Sequence, residues 1–257
     1  MTEPLHPVPR AKTALVTGAA RRVGAALVRR LAAEGYRVAL HARAPDEAAD
    51  ALVAEIREGG GDAIVLYADL ADPAARPTLI AQAAEALGPL ALLVNNAASF
   101  VSDSFETFDD ATFDAHLAVN LKAPIDLARH FALHAADDDP SIINIIDHRV
   151  LKLTPQHFTY TLSKAALHAA TITMAQALAP RIRVNAIGPG PVFPNINDGD
   201  RGFMKEVSGV PLHRAVAPEE IAAAMLYLAS ARSVTGTLLP VDAGQAIGWQ
   251  TPDIVMG

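Results

Sequence analysis

The chain has 257 residues, a formal net charge of −7, 51% hydrophobic and 5% aromatic residues, and no cysteine. Without cysteine there is no disulfide scaffold, thiolate nucleophile, cysteine-ligated zinc or iron–sulfur cluster, and the acidic balance lacks the basic face that nucleic acid requires. About a fifth of the residues are alanine, which favours closely spaced helices over a sheet.

Residues 1–12 hold three prolines and no apolar run, and read as a mobile N-terminal tail and not a signal peptide. Further on, no apolar stretch is long and uninterrupted enough to span a membrane, so a soluble cytoplasmic protein is expected. Short β-rich runs at 13–17, 37–40, 63–67, 91–94, 141–146, 183–187 and 238–241 alternate with helical patterns at 24–34, 46–58, 74–87, 111–136, 157–179 and 218–229. This alternation, unbroken by any linker, predicts one α/β domain over 1–257: a three-layer, Rossmann-type doubly wound parallel sheet of about seven strands flanked by helices. Polar segments at 99–110 and 189–210 follow the fourth and sixth runs and are expected to be loops. Long loops at the carboxyl ends of parallel strands are where ligands bind in open sheets.

The first run leads directly into Thr17-Gly18-Ala19-Ala20-Arg21-Arg22-Val23-Gly24 and then a helix. Small residues let the backbone approach a pyrophosphate, and the N–H groups at a helix start favour an anion. The turn resembles the T-G-x-x-x-G-x-G fingerprint of the short-chain dehydrogenase/reductase family, with Arg22 in place of the middle glycine. A cation there favours NADPH over NADH. The second run ends His41-Ala42-Arg43, with Ala42 where relatives that prefer NAD carry an acidic residue. Arg22, His41 and Arg43 would then surround a 2′-phosphate; the plainer reading makes His41 and Arg43 ordinary surface residues. Asp69-Leu70 matches the family's adenine-contacting pair, and Asn95-Asn96-Ala97-Ala98 matches its N-N-A-G. The resemblance implies cofactor contacts from Gly18, Arg21, Arg22, Val23 and Gly24, from Asn96, Ala97 and Ala98, and from Ile145 at the end of the fifth run. Gly188-Pro189-Gly190-Pro191-Val192 resembles the P-G motif on the nicotinamide side, which adds Pro189, Gly190 and Val192; Pro194 replaces the threonine expected after it.

Tyr160-Thr161-Leu162-Ser163-Lys164 is the family's Y-x-x-x-K. Residues four apart share a helix face, so the Lys164 ammonium would sit beside the Tyr160 phenol. A neighbouring cation would lower the phenol pKa from about 10 toward neutrality and make it a usable proton donor. Both residues also contact cofactor by resemblance. Asn120, in Ala118-Val119-Asn120-Leu121-Lys122, matches the asparagine that completes the family's catalytic tetrad by holding a proton-relay water. The tetrad serine is replaced by Asp147, which precedes Tyr160 by thirteen residues. An ionised aspartate only accepts hydrogen bonds and suits a substrate offering N–H donors. A protonated one, its pKa raised by Ile145, Ile146 and Val150, would act as an acid. Both states remain open at this level.

A narrower resemblance is to the pteridine reductase branch, including dihydromonapterin-reductase-like proteins. That branch combines an arginine in the first turn, an aspartate in the serine position and a phenylalanine shortly after the Asn pair, as Arg22, Asp147 and Phe100 do here; Gly35-Tyr36-Arg37-Val38-Ala39-Leu40-His41 is also similar. It implies Phe100 stacked on a pterin ring opposite the nicotinamide, Arg22 and Asp147 bonded to the pterin edge, and Tyr160 in proton transfer. The nine histidines are scattered with no metal-ligand spacing, so no metal site is expected. His148 is expected to face away from Asp147, because strand neighbours alternate. Thr235-Gly236 and Val241-Asp242-Ala243-Gly244 resemble the family's last-strand T-G and V-D-G-G signals; the resemblance implies that they lie near a subunit interface of a homo-oligomer, dimer or tetramer. The expected function is NADPH-dependent reduction of a C=N or C=O bond in a pterin-like small molecule. A general carbonyl or 3-oxoacyl reductase and a non-catalytic NADPH-binding sensor or scaffold are the rivals.

Overall fold

The computed structural model describes residues 12–194 and 199–249, so the tail expected at 1–12 lies outside it but for Lys12. The β-rich runs form β1 (Thr13–Val16), β2 (Arg37–Ala42), β3 (Ala63–Tyr67), β4 (Leu92–Asn95), β5 (Ser141–Ile145), β6 (Arg183–Pro189) and β7 (Leu238–Val241). They make one seven-stranded sheet in the order β3-β2-β1-β4-β5-β6-β7, with every pair parallel. The order reverses between β1 and β4, and the carboxyl ends of those two strands open the crevice in which such sheets hold ligands.

The helices are α1 (Arg22–Ala33), α2 (Glu47–Glu58), α3 (Ala75–Leu87), α4 (Asp110–Leu117), α5 (Ala123–His134), α6 (Phe158–Leu178), α7 (Gly199–Gly209) and α8 (Pro218–Ser230). Helices cover both faces, so the central strands are apolar on both sides. Along β1, Ala14 and Val16 point to the layer that contains Leu27, Leu31, Leu52, Ile221 and Met225 of α1, α2 and α8. Leu15, between them, points to Leu79, Ile80, Leu127 and Phe131 of α3 and α5. Leu15, Leu31 and Leu93 are fully buried, and truncating one such leucine to alanine costs about 2–5 kcal/mol. Buried alanines such as Ala25, Ala49 and Ala222 let these helices lie close to the sheet.

Two expected elements take a different form. The helix predicted at 111–136 is broken by a π-helical turn at Ala118–Lys122, where the N–H of Ala123 donates to the carbonyl of Ala118. Pro124 has no N–H to return to the carbonyl of Asn120 four residues back, and its ring crowds that carbonyl. The segment predicted as loop at 189–210 contains α7, a helix with no buried residue. No helix among the described residues is long and apolar enough to cross a membrane.

Candidate active site

All of the residues expected to contact cofactor line one cleft over the carboxyl ends of β1, β2, β4, β5 and β6, together with Phe100 and Asp147. At one end lies the turn from β1 into α1. A Cβ on Gly18 would sit 2.7 Å from Ala97 Cα, and one on Gly24 would sit 2.3 Å from the Gly18 carbonyl oxygen, so both positions need glycine. Arg22 has φ +54°, a left-handed conformation that costs a non-glycine residue about 1–2 kcal/mol. It occupies the family's glycine position and bears that strain while its guanidinium lies over the Phe193 ring at 4.9 Å and donates to the Pro194 carbonyl at 3.2 Å. Neighbouring Arg21 pairs with Asp46 at 2.9 Å, and Arg43 is exposed at the cleft mouth.

The Asn pair and the glycine turn are one construction. Asn96 Nδ2 donates to the carbonyls of Thr17 (2.9 Å) and Gly18 (2.8 Å), while Thr17 Oγ1 accepts from the backbone N–H groups of Asn96 and Ala97, both at 3.0 Å. His41 completes the brace and corrects the expected role. The Gly18 N–H donates to His41 Nδ1 at 3.1 Å, so Nε2 carries the ring proton and donates to the Ala68 carbonyl at 2.9 Å. The ring is buried and burial lowers its pKa. His41 is therefore a neutral strut under the turn, with no charge to offer a phosphate. Asp69 and Leu70 border the same end: Asp69 Oδ1 accepts from the Ala71 N–H at 2.9 Å, and Leu70 is buried. A glycine cradle at a helix start with Arg22 and Arg43 beside it suits a phosphorylated dinucleotide.

At the other end, Tyr160 is 7% exposed and its hydroxyl donates to Asp147 Oδ2 at 3.1 Å. Asp147 Oδ1 caps a short 3-10 turn, His148–Leu151, by accepting from the Arg149 N–H at 2.8 Å. His148 Nδ1 lies 3.1 Å from that same oxygen and 3.1 Å from the Pro189 carbonyl. Since both neighbours are acceptors, Nδ1 carries the proton, which goes to the Pro189 carbonyl, and the Asp147 carboxyl accepts from two donors, the Tyr160 hydroxyl and the Arg149 N–H. The expectation that His148 turns away is overturned because β5 ends at Ile145 and strand alternation ends with it.

Lys164 Nζ donates to the Ile145 carbonyl at 2.9 Å and lies 5.8 Å from the Tyr160 ring centre. Burial pushes its pKa down to about 8, with Asp147 opposing. Burial also raises the Tyr160 pKa well above its ordinary value, and the Asp147 carboxylate raises it further. The lowering expected from Lys164 is outweighed: its ammonium is turned toward a carbonyl, and the Asp147 carboxylate is in direct hydrogen-bond contact with the phenol. Tyr160 is kept as a phenol, the form that can give up a proton.

Asn120 is a brace as well. Its amide hydrogens go to the Ser99 carbonyl (2.9 Å) and Ser163 Oγ (3.0 Å), and its Oδ1 accepts from the Ser99 N–H at 2.8 Å. The side chain braces a loop and a helix, and the backbone carbonyl of Asn120 is the one that Pro124 leaves without an N–H four residues on. Phe100 is 39% exposed, with its ring 4.8 Å from that of Tyr160 and edge-on to it. Contacts of His148, and of His116 with Thr159 and Asp103, escaped sequence reasoning. Each pairs a residue with a partner on another element; the one available signal was the Asn120-x-x-x-Pro124 spacing that opens the π turn.

A family model described as enoyl-(acyl carrier protein) reductase matches residues 18–246. The 3-oxoacyl-[acyl-carrier-protein] reductase FabG of Staphylococcus aureus is 30% identical over 239 residues, covering 91% of this chain and 97% of the relative. An uncharacterized oxidoreductase of Methylorubrum extorquens is 34% identical over 241 residues, with 91% and 97% covered. Among solved structures, FolM alternative dihydrofolate reductase 1 from Brucella canis, complexed with NADP, is 45% identical with a TM-score of 0.90, covering 95% of this chain and 97% of that one. A blue fluorescent protein from a metagenomic library, in complex with NADPH, is 34% identical with a TM-score of 0.86, covering 91% and 98%. Agreement over nearly the whole length, in sequence and in backbone, joins the Y-x-x-x-K helix and the glycine cradle to one lineage: the chain belongs to the short-chain dehydrogenase/reductase family of oxidoreductases.

Proposed function

We propose that the protein is an NADPH-dependent reductase that reduces a C=N or C=O bond of a pterin-like substrate, taking a dihydropterin to a tetrahydropterin. The observation that carries this reading is Asp147, a carboxylate beside Tyr160 with donors on both oxygens. An acceptor there matches the N–H groups of an amino-substituted heterocycle and offers nothing to a simple ketone. The 45% identical Brucella neighbour, named an alternative dihydrofolate reductase, supports the same substrate class.

NADPH supplies the hydride when bound. Gly18, Val23 and Gly24 at the start of α1 would hold its pyrophosphate, Arg22 and Arg43 its 2′-phosphate, and Asp69 with Leu70 its adenine. Ile145, Pro189, Gly190 and Val192 would border the nicotinamide, with Asn96, Ala97 and Ala98 along the ribose side. Phe100 would cover one face of the substrate, and Arg22 and Asp147 would bond its edge. Tyr160 gives its hydroxyl proton to the substrate atom that gains charge, and the Lys164 ammonium stabilises the phenolate left behind. The protein would work as a cytoplasmic homo-oligomer, dimer or tetramer.

The test is NADPH oxidation by purified protein with dihydrobiopterin or dihydromonapterin against acetoacetyl thioesters. Pterins are expected to be the faster substrates, and Asp147→Ser to lose pterin reduction while keeping NADPH affinity. Equal or better rates on simple ketones would favour the carbonyl or 3-oxoacyl reductase reading that the FabG relative suggests. NADPH binding without turnover of either class would leave a sensor. Comparable affinities for NADH and NADPH would remove the role given to Arg22 and Arg43.

A further inference from the structure

Two polar rungs cross from α4 and its π turn to α6 and bracket Tyr160. His116 and Asn120 stand four residues apart on one side, and Thr159 and Ser163 four apart on the other. His116 Nδ1 is 2.7 Å from Thr159 Oγ1, and Asn120 Nδ2 is 3.0 Å from Ser163 Oγ. All four residues are fully buried. Each rung ends on the segment that follows β4: the Ser99 backbone is held by Asn120, and the Val101 N–H donates to His116 Nε2 at 3.1 Å. A third tie runs from Thr159, whose backbone N–H (3.2 Å) and hydroxyl both donate to the Asp103 carboxylate.

Hydrogen-bond direction fixes the tautomer. The Thr159 hydroxyl gives its proton to Asp103, so it accepts from His116 Nδ1–H, and Nε2 is left bare for Val101. Residues 99, 101 and 103 are thus anchored, and the stretch Ser99, Phe100, Val101 and Ser102 lines the cleft. The His116 ring also meets the Tyr160 ring edge-on at 6.0 Å.

We infer that His116, acting through Val101 and Thr159, is a positioning residue that sets where the Phe100–Ser102 wall stands over Tyr160, and so governs substrate KM and not dinucleotide affinity. The inference rests on the cleft being a reductase site, but its structural half has a readout of its own. Gln at 116 can still offer an acceptor where Nε2 lies, whereas Leu cannot.

The experiment compares His116→Gln, His116→Leu and Thr159→Val by amide hydrogen exchange over 99–103, NADPH titration, and kinetics with dihydrobiopterin. His116→Leu is expected to speed exchange of the segment and raise substrate KM about tenfold each, the size of one lost buried hydrogen bond, with kcat falling less and NADPH affinity kept within about twofold. His116→Gln is expected to restore most of both effects. Unchanged exchange in His116→Leu, a Gln variant no better than Leu, or a parallel loss of NADPH affinity would overturn the inference. Should the leucine variant fail to fold, Thr159→Val, which nearly keeps the side-chain shape, must show the faster exchange or the inference fails. Absence of turnover by the unsubstituted protein would count against the reductase reading and leave exchange to decide this one.

Discussion

The two ends of the cleft are built by different means. At the dinucleotide end the working groups are backbone: a glycine turn with its N–H groups at the start of α1, held in shape by Thr17, His41 and Asn96 from below. At the substrate end the working groups are side chains, and each is held by another side chain or by a distant carbonyl, as Tyr160 is by Asp147 and Lys164 by Ile145. A backbone cradle tolerates little change in residue size but makes few demands on charge. The side-chain end depends on which atom holds each proton.

The largest break in this comparison comes from Tyr160→Phe. It is expected to lower kcat by roughly 10²–10⁴-fold with NADPH affinity unchanged, measured by steady-state kinetics and fluorescence titration; a matching loss of affinity would mean the two ends are not separate. His41→Leu attacks the opposite end. It leaves the Gly18 N–H and the Ala68 carbonyl without their partner, which costs about 1–3 kcal/mol of stability in denaturant unfolding and weakens NADPH binding, while kcat at saturating cofactor stays near that of the parent.

The pH dependence sharpens the contrast, because Lys164 alone at the substrate end has a pKa brought to about 8. Above that pH the ammonium is lost and kcat/KM falls by up to about tenfold per unit, with no added limb from Tyr160, whose pKa is raised. Stability moves the other way. The folded pKa lies below the ordinary lysine value of 10.5, so the unfolded chain binds more protons between about 8 and 10.5 and the fold gains stability as pH rises through that window. Lys164→Met should flatten this part of the stability profile, measured by thermal unfolding; an unaltered profile would contradict the assignment.

The smallest effect tests the strain at Arg22. With φ +54°, Arg22→Gly is expected to be more stable than Arg22→Ala by about 1 kcal/mol, and both to lose preference for NADPH over NADH. Equal stabilities of the two variants would show that the turn relaxes when the arginine is removed.

Much of the fold was legible because its determinants are local. The seven β-rich runs and their spacing predicted the seven strands, and the small residues of 17–24 marked the cradle. The breaks came where a distant partner intervened. Pro124 and the contacts of Asn120 opened a π turn inside a helical pattern, and β5 stopped short so that Asp147 capped a turn and His148 swung back to it.

The sequence by itself determined the strands and helices of a parallel sheet, which follow from periodicity along one chain, and its family resemblance picked out Asp147, Tyr160 and Lys164. Only the tertiary structure decided that His41 is a neutral strut, that Lys164 points to a carbonyl, that Asp147 accepts from Tyr160 and Arg149 and that His116 joins Val101 to Thr159. Proton positions and pKa values depend on burial and on partners 13 to 56 residues away, and those neighbours exist only once the chain has folded.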